Sequence, residues 1–260
     1  MRGILYLTAN ASMYLTPIVD AIKLACTPKS LRPITGYADY FLHKSGLEVG
    51  GPSKLFKKQL PLYKCIAHLD GCNFSMHTVW EGQILEGNHY RYYPNKTGYQ
   101  YISEASHLEK IGSETYDFVL SCHCLEHCAN PIKTVEEWCR VVKKGGYLLI
   151  VVPHPEFTFD HNRPITGFNH LLEDYRNQVG EDDLTHLNEI IEKHDLKMDI
   201  PAGTKESFTE RSRNNFQNRC LHQHVFDFSL LAEIFDFLQI EIIRKDFIKP
   251  YHQVILGRKK

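Results

Sequence analysis

Tyr116-Asp117-Phe118-Val119-Leu120-Ser121, Asn130-Pro131, Trp138-Cys139-Arg140-Val141-Val142-Lys143-Lys144-Gly145-Gly146 and Tyr147-Leu148-Leu149-Ile150-Val151-Val152 follow one another and decide the fold. The first stretch reads as a buried strand and the last is a continuous apolar strand, as expected where both sheet faces are covered. Between them, Asn130-Pro131 starts a helix with proline in its first turn. Val135, Trp138, Val141 and Val142 give that helix one apolar face. Lys143-Lys144-Gly145-Gly146 ends it, with cations in the last turn and glycine beyond. Strand, helix, strand at this length is a right-handed parallel crossover.

Outward from this unit, Gly46-Leu47-Glu48-Val49-Gly50-Gly51 reads as a short strand running into a glycine turn. Tyr63–Leu69 is a second apolar run ending at Asp70, residues 71–98 read as a long ordered loop, and Tyr99–Ile102 reads as a strand ending at Glu104. Phe226–Leu238 is a helix, followed by a closing strand pair at Ile240–Ile243 and Tyr251–Leu256. Residues 11–44 carry helical spacing, broken at Thr27-Pro28-Lys29-Ser30. The expectation is α/β: a doubly wound, mostly parallel sheet in a single domain over 1–260. It has an N-terminal helical segment at 1–44 and a polar, histidine-rich insertion at 154–224.

With 30 Lys+Arg against 31 Asp+Glu, the net charge is −1, so no basic excess neutralises phosphates and nucleic acid is not an expected partner. The longest apolar runs fall far short of the ~20 residues of a spanning helix, and the N-terminus lacks a signal-peptide pattern. The eight cysteines form no CxxC pair, which fits reduced thiols and a cytoplasmic location. Cys122, Cys124 and Cys128 lack the paired spacing of a structural zinc site.

Ligands of open parallel sheets sit outside the carboxyl ends of the strands, where glycine lets the backbone approach them. Glu48-x-Gly50-Gly51 occupies such a place, and Asp70 follows Gly51 by nineteen residues, the range in which an acid takes a ribose diol. A tight turn with a capping acid reads the same residues without a ligand. A nicotinamide dehydrogenase would share the turn and the acid, but G-x-G-x-x-G is missing.

The string YDFVLSCHCLEH, then NP, then RVVKKGGYLLIVVP, resembles in order the fourth strand, helix and fifth strand of class I S-adenosylmethionine-dependent methyltransferases. GLEVGGPSKLF, LDGCNFSMHTVWEG, FDHNRPIT, EDDLTHL and NRCLHQHVFD resemble a subgroup associated with glycosyltransferases and glycan synthesis. The resemblance implies a Rossmann-like methyltransferase fold with S-adenosylmethionine as cofactor. It also implies a sugar or glycan acceptor, with a glycosyltransferase as a partner. By position, Glu48, Gly50 and Gly51, with Pro52 and Ser53 behind them, would line the methionine part. Asp70 would hold the ribose, Glu104 and Ala105 would flank the adenine, and Ser121, Cys122 and His123 would border the sulfonium. Pro52 and Lys54 depart from the family's second and third glycines. A non-catalytic relic would have no use for Glu48, Gly50, Gly51 and Asp70.

An O-methyl transfer needs a base for the acceptor proton, and histidine titrates in the right range. His154 directly follows the fifth strand, and His161 follows with Asp160 to orient it. His224 and His127 are next in line, while Glu126 and His127 also suit the cap of the following helix. A divalent ion held by Asp160, His161, Glu181, Asp182, Asp183 and His186 is the competing reading, and the histidine reading is preferred. Phe74, Trp80, Tyr90, Tyr92, Tyr93, Tyr99 and Tyr101 could offer platforms to a sugar ring or form a small core of their own.

Overall fold

The computed structural model describes residues 36–260. The helix read over 11–44 lies mostly outside them. Its described end is a single helical turn, Ala38–Phe41, whose Phe41 is buried edge-on against Phe118 with ring centroids 5.0 Å apart.

Eight strands form one sheet: β1 (Ser45–Val49), β2 (His68–Asn73), β3 (Gly87–Tyr93), β4 (Lys96–Ile102), β5 (Tyr116–Cys122), β6 (Val142–Pro153), β7 (Ile240–Ile248) and β8 (His252–Lys259). Their order is β3-β4-β2-β1-β5-β6-β8-β7. The five central strands, β4, β2, β1, β5 and β6, run parallel, and β8 enters antiparallel to both β6 and β7. The chain order reverses between β1 and β5, so the topological switch point lies where the glycine turn leaves β1.

The crossover read from the sequence is present. Asn130 Oδ1 accepts from the amide of Lys133 and Pro131 opens helix α1 (Pro131–Val141). Its buried face packs Ile132, Val135, Trp138 and Val141 on the sheet together with α5 (Phe228–Phe237). Alternation along the strands fills both layers. Leu148, Ile150 and Val152 of β6 join this core, while Leu149 and Val151 join the opposite one with Phe56, Tyr63 and Tyr90. Each such side chain contributes about 1.5–3 kcal/mol on burial.

Two expectations are corrected. The Tyr63–Leu69 run is no strand at its start: Leu62–Lys64 form a 3-10 turn and β2 begins only at His68. Residues 71–98 are no loop either. They end β2, form a two-residue ribbon (His77–Thr78 with Gly82–Gln83) and build the hairpin of β3 and β4 around Pro94-Asn95, with Asn95 at φ 60°. The 154–224 insertion contains helices α2 (Phe168–Arg176), α3 (Leu187–Lys193) and α4 (Lys205–Arg213). Among the described residues, no helix is long and apolar enough to cross a membrane.

Candidate active site at the strand carboxyl ends

A cavity of about 660 Å³ opens where the parallel strands end. β1 delivers Val49 and Gly50 to it, β2 Cys72 and Asn73, and β5 Cys122 and His123, while Ser103–Ala105 follow β4. Its size suits a bound small molecule. The insertion covers the other side through Glu181, Arg219 and His222.

The turn after β1 is built around Glu48. Its carboxylate is fully buried and accepts from Tyr63 Oη (2.7 and 2.9 Å), Tyr90 Oη (2.5 Å) and the Ser53 amide (3.0 Å). Glu48 therefore folds the turn and does not face the cavity. Gly51, Pro52 and Ser53 stand behind it as well. A Cβ on Gly51 would fall 2.3 Å from Glu48 Cδ, and Ser53 Oγ caps a short helical turn, Lys54–Lys57. Gly50 does line the cavity. It holds φ +79°, and a Cβ there would come within 2.9 Å of Cys124 Cβ, so only glycine fits.

Asp70, expected at a ribose, is placed away from the cavity. It pairs in register with Leu47, mid-sheet, two residues before Cys72 reaches the cavity wall. Its carboxylate accepts from Tyr116 Oη (2.7 Å) and the Tyr99 amide (2.7 Å), and lies 2.8 Å from His68 Nε2. What β2 presents at its end is Asn73, whose amide donates to the Gly51 carbonyl at 3.3 Å. Glu104 and Ala105 line the cavity as expected, with Glu104 accepting two bonds from Arg219 (2.8 and 3.1 Å). Cys122 and His123 line it too, whereas Ser121 is fully buried outside the lining.

None of the three proposed catalytic residues lines the cavity. His154 packs against Phe157 and Phe247, because the backbone pairs its amide with Tyr251 beside β8 and aims its ring at this aromatic pair. His161 reaches Asp195 at 2.9 Å near the surface. Asp160 is buried and serves a different histidine: its Oδ2 meets His222 Nδ1 at 2.5 Å, and Arg163 donates to its Oδ1 at 3.0 Å. Burial raises the Asp160 pKa, but His222 and Arg163 outweigh it and hold the carboxyl at about 2. His222 lines the cavity.

With Nδ1 turned to Asp160, His222 keeps Nε2 for a ligand. His127 is arranged alike, with Nδ1 on the Leu221 carbonyl at 2.9 Å. Burial first, then the nearby His222, pushes the His127 pKa down to about 4, so it is neutral near pH 7. Between them lies Glu126, buried, with neither carboxylate oxygen in a hydrogen bond and Oε1 3.3 Å from His123 Nδ1. Burial raises the Glu126 pKa, but His123, His127 and His222 hold it below the usual range, so the carboxyl is ionised. One ligand atom from each of Glu126, His127 and His222 lies within 4.8 Å of the others, close enough to share a proton or a divalent ion. The divalent set read from the sequence is not gathered: His161 pairs with Asp195, and of its acids only Glu181 reaches the cavity. His222 was legible only as part of the LHQH string, since no spacing rule links it to Asp160 across sixty-two residues.

Of the aromatic platforms, Phe74 and Trp80 line the cavity, with Trp80 55% exposed and 5.3 Å from the His127 ring. Tyr90 and Tyr92 are core residues, and Tyr99 and Tyr101 pack on each other at 4.6 Å outside the cavity.

Residues 81–150, from the loop before β3 into β6, match the family model described as Methyltransferase domain. No curated protein matches the sequence. Similar solved structures include a SAM-dependent methyltransferase from Methanosarcina mazei, 16% identical, with 87% of this chain and 98% of that chain covered at TM-score 0.47. A Burkholderia thailandensis 1,6-didemethyltoxoflavin-N1-methyltransferase, with bound 1,6-didemethyltoxoflavin and S-adenosylhomocysteine, is 11% identical, covering 98% and 89% at TM-score 0.46. Those likenesses are too distant to add to the strand order described above. The matched segment carries the cavity residues from Ser103 to Cys128.

Proposed function

We propose that the protein methylates a hydroxyl of a sugar or glycan acceptor, with His222 as the base. The observation that carries this reading is the Asp160–His222 pair on the wall facing the strand ends. S-Adenosylmethionine supplies an electrophilic methyl on a sulfonium. His222 Nε2 takes the acceptor proton as the oxygen attacks that methyl, so the products are the methyl ether, S-adenosylhomocysteine and an imidazolium. Asp160 fixes the tautomer and stabilises the charged ring. Trp80 and Phe74 offer apolar faces beside the polar groups Glu104, Arg219 and His222, the mixture that a sugar presents in reverse. The resemblance to glycan-associated methyltransferases supports the same acceptor class and a glycosyltransferase as partner. A divalent ion on Glu126, His127 and His222 is a second reading, favoured by the two Glu126 oxygens that lack hydrogen bonds.

Gly50, Asn73 and the Ser103–Ala105 turn would hold the cofactor. Isothermal titration is expected to show S-adenosylmethionine binding and no NAD binding. Gly50→Val is expected to lose it, because the side chain has no room beside Cys124. Asn73→Ala is expected to weaken it by about 0.5–1.5 kcal/mol, a typical net hydrogen bond. Asp70→Ala is expected to leave the affinity unchanged and to lower the melting temperature, since it strands Tyr116 and the Tyr99 amide. A folded Asp70→Ala protein that no longer bound the cofactor would return the ribose role to Asp70.

A further inference from the structure

Away from the cavity, four buried or half-buried side chains converge with their donor atoms and little else. His170 and Asp174 stand four apart on α2 and share one face. His186 immediately precedes α3, and His224 lies in the segment leading to α5. His170 Nε2 is 2.9 Å from His186 Nε2 and 3.3 Å from Asp174 Oδ2, and Asp174 Oδ2 is 3.7 Å from His224 Nε2, the nitrogen that also faces the Ala129 carbonyl. An ion bound tetrahedrally at 2.0–2.1 Å separates its ligand atoms by about 3.3–3.4 Å. The first two distances lie near that value, and His170, His186 and His224 each bring one ring nitrogen within 4.8 Å of the others.

A second observation points to the same place. Asp174 Oδ2 and His224 Nδ1 are buried with no hydrogen-bond partner. Such orphaned acceptors cost free energy unless something satisfies them. The His224 ring is fixed from outside, with Nε2 3.2 Å from the Ala129 carbonyl, the outer contact that orients a ligating imidazole.

We propose that His170, Asp174, His186 and His224 bind one zinc ion. Three imidazoles and one carboxylate are a donor set zinc accepts, and four protein ligands leave no open position for catalysis. The ion is structural. It clips α2 and the start of α3 to the segment that carries His222, two residues before His224, into the cavity. None of the four ligands lines that cavity.

The test uses the full chain loaded with zinc chloride, desalted and assayed for metal by mass spectrometry. One tightly held equivalent is expected to disappear in each of His170→Ala, Asp174→Ala and His224→Ala. The same equivalent is expected to persist in the His127→Ala/His222→Ala double variant, which removes the cavity histidines instead. X-ray absorption on the loaded wild type is expected to show only nitrogen and oxygen at about 2.0–2.1 Å, with no sulfur at about 2.3 Å. Should the alanine variants fail to fold, stripped wild-type protein reloaded with zinc keeps the spectroscopic test open and is expected to melt at higher temperature. Wild type that holds no equivalent contradicts the site and leaves a metal-free His170–His186 hydrogen bond. Zinc that survives all three substitutions, vanishes only in the double variant, or shows sulfur ligands contradicts it equally.

Discussion

His222→Ala is expected to lower kcat by ~10²–10⁴-fold, the usual share of a general base, while S-adenosylmethionine binds as before. A sugar hydroxyl is a far weaker acid than imidazolium, so the proton has to leave as the oxygen attacks. Asp160→Asn is expected to give a smaller loss, since the base remains but its tautomer and charge are no longer supported. Because Asp160 acts through His222, the sign of its role is a shift of the kcat–pH profile in Asp160→Asn. A uniform loss at all pH values would instead mean a structural role. Metal content separates the second reading: if a divalent ion on Glu126, His127 and His222 activates the acceptor, activity rises with a second bound equivalent, beyond the one expected at His170, Asp174, His186 and His224, and that equivalent is lost in Glu126→Gln. Near-normal kcat in His222→Ala would place the base elsewhere.

Glu48→Ala is expected to cost about 3–5 kcal/mol of stability. It leaves the Tyr63 and Tyr90 hydroxyls and the Ser53 amide without their shared acceptor, and each buried group so stranded costs about 1–3 kcal/mol. Urea unfolding measures it directly. Glu48 also imposes a pH dependence of known sign. Burial raises its pKa from 4.5 to about 7, against the lowering by Tyr90, Tyr63 and Ser53. Between those values the unfolded chain releases the proton and the folded chain keeps it, so stability falls as pH rises through that window. The penalty is complete above about pH 7 and is on the order of 3–3.5 kcal/mol at 1.36 kcal/mol per unit. Glu48→Gln has no proton to lose, so wild type is expected to lose ground against it from pH 5 to pH 8. A constant difference would mean that Glu48 is ionised in the folded protein across the whole range.

What could be read from the sequence was whatever is local. The α1 crossover follows from Asn130-Pro131 and the Trp138 face, β5 from its Phe118-Val119-Leu120 centre and β6 from the apolar run 147–152, while Lys143-Lys144-Gly145-Gly146, expected to end the helix, lie inside β6 because α1 already ends at Val141. The cavity residues at the strand ends, Gly50, Glu104, Ala105, Cys122 and His123, follow from the same reasoning. Asp70 did not, because Tyr63 and Ile66 are apolar for a reason other than strand formation. They fill the core beneath a 3-10 turn, so β2 runs three residues beyond Asp70. Glu48 looked like a ligand group because a buried acid beside glycine reads the same whether its partner is a cofactor or two tyrosines forty-two and fifteen residues away. The histidines of the insertion were the least legible. Asp160 finds His222, and His170 finds His186 and His224, through tertiary folding that no periodicity encodes.

Methyl transfer to a sugar oxygen is followed with methyl-labelled S-adenosylmethionine. The acceptors are nucleotide sugars, oligosaccharides and lipid-linked glycans, with amine and carboxylate compounds alongside, and the product is analysed by mass spectrometry and NMR. Label is expected on a sugar oxygen as a base-stable ether, with S-adenosylhomocysteine formed in equal amount and both lost in His222→Ala. Label on nitrogen or on a carboxylate ester, or S-adenosylmethionine bound without transfer to any hydroxyl in the panel, would contradict it.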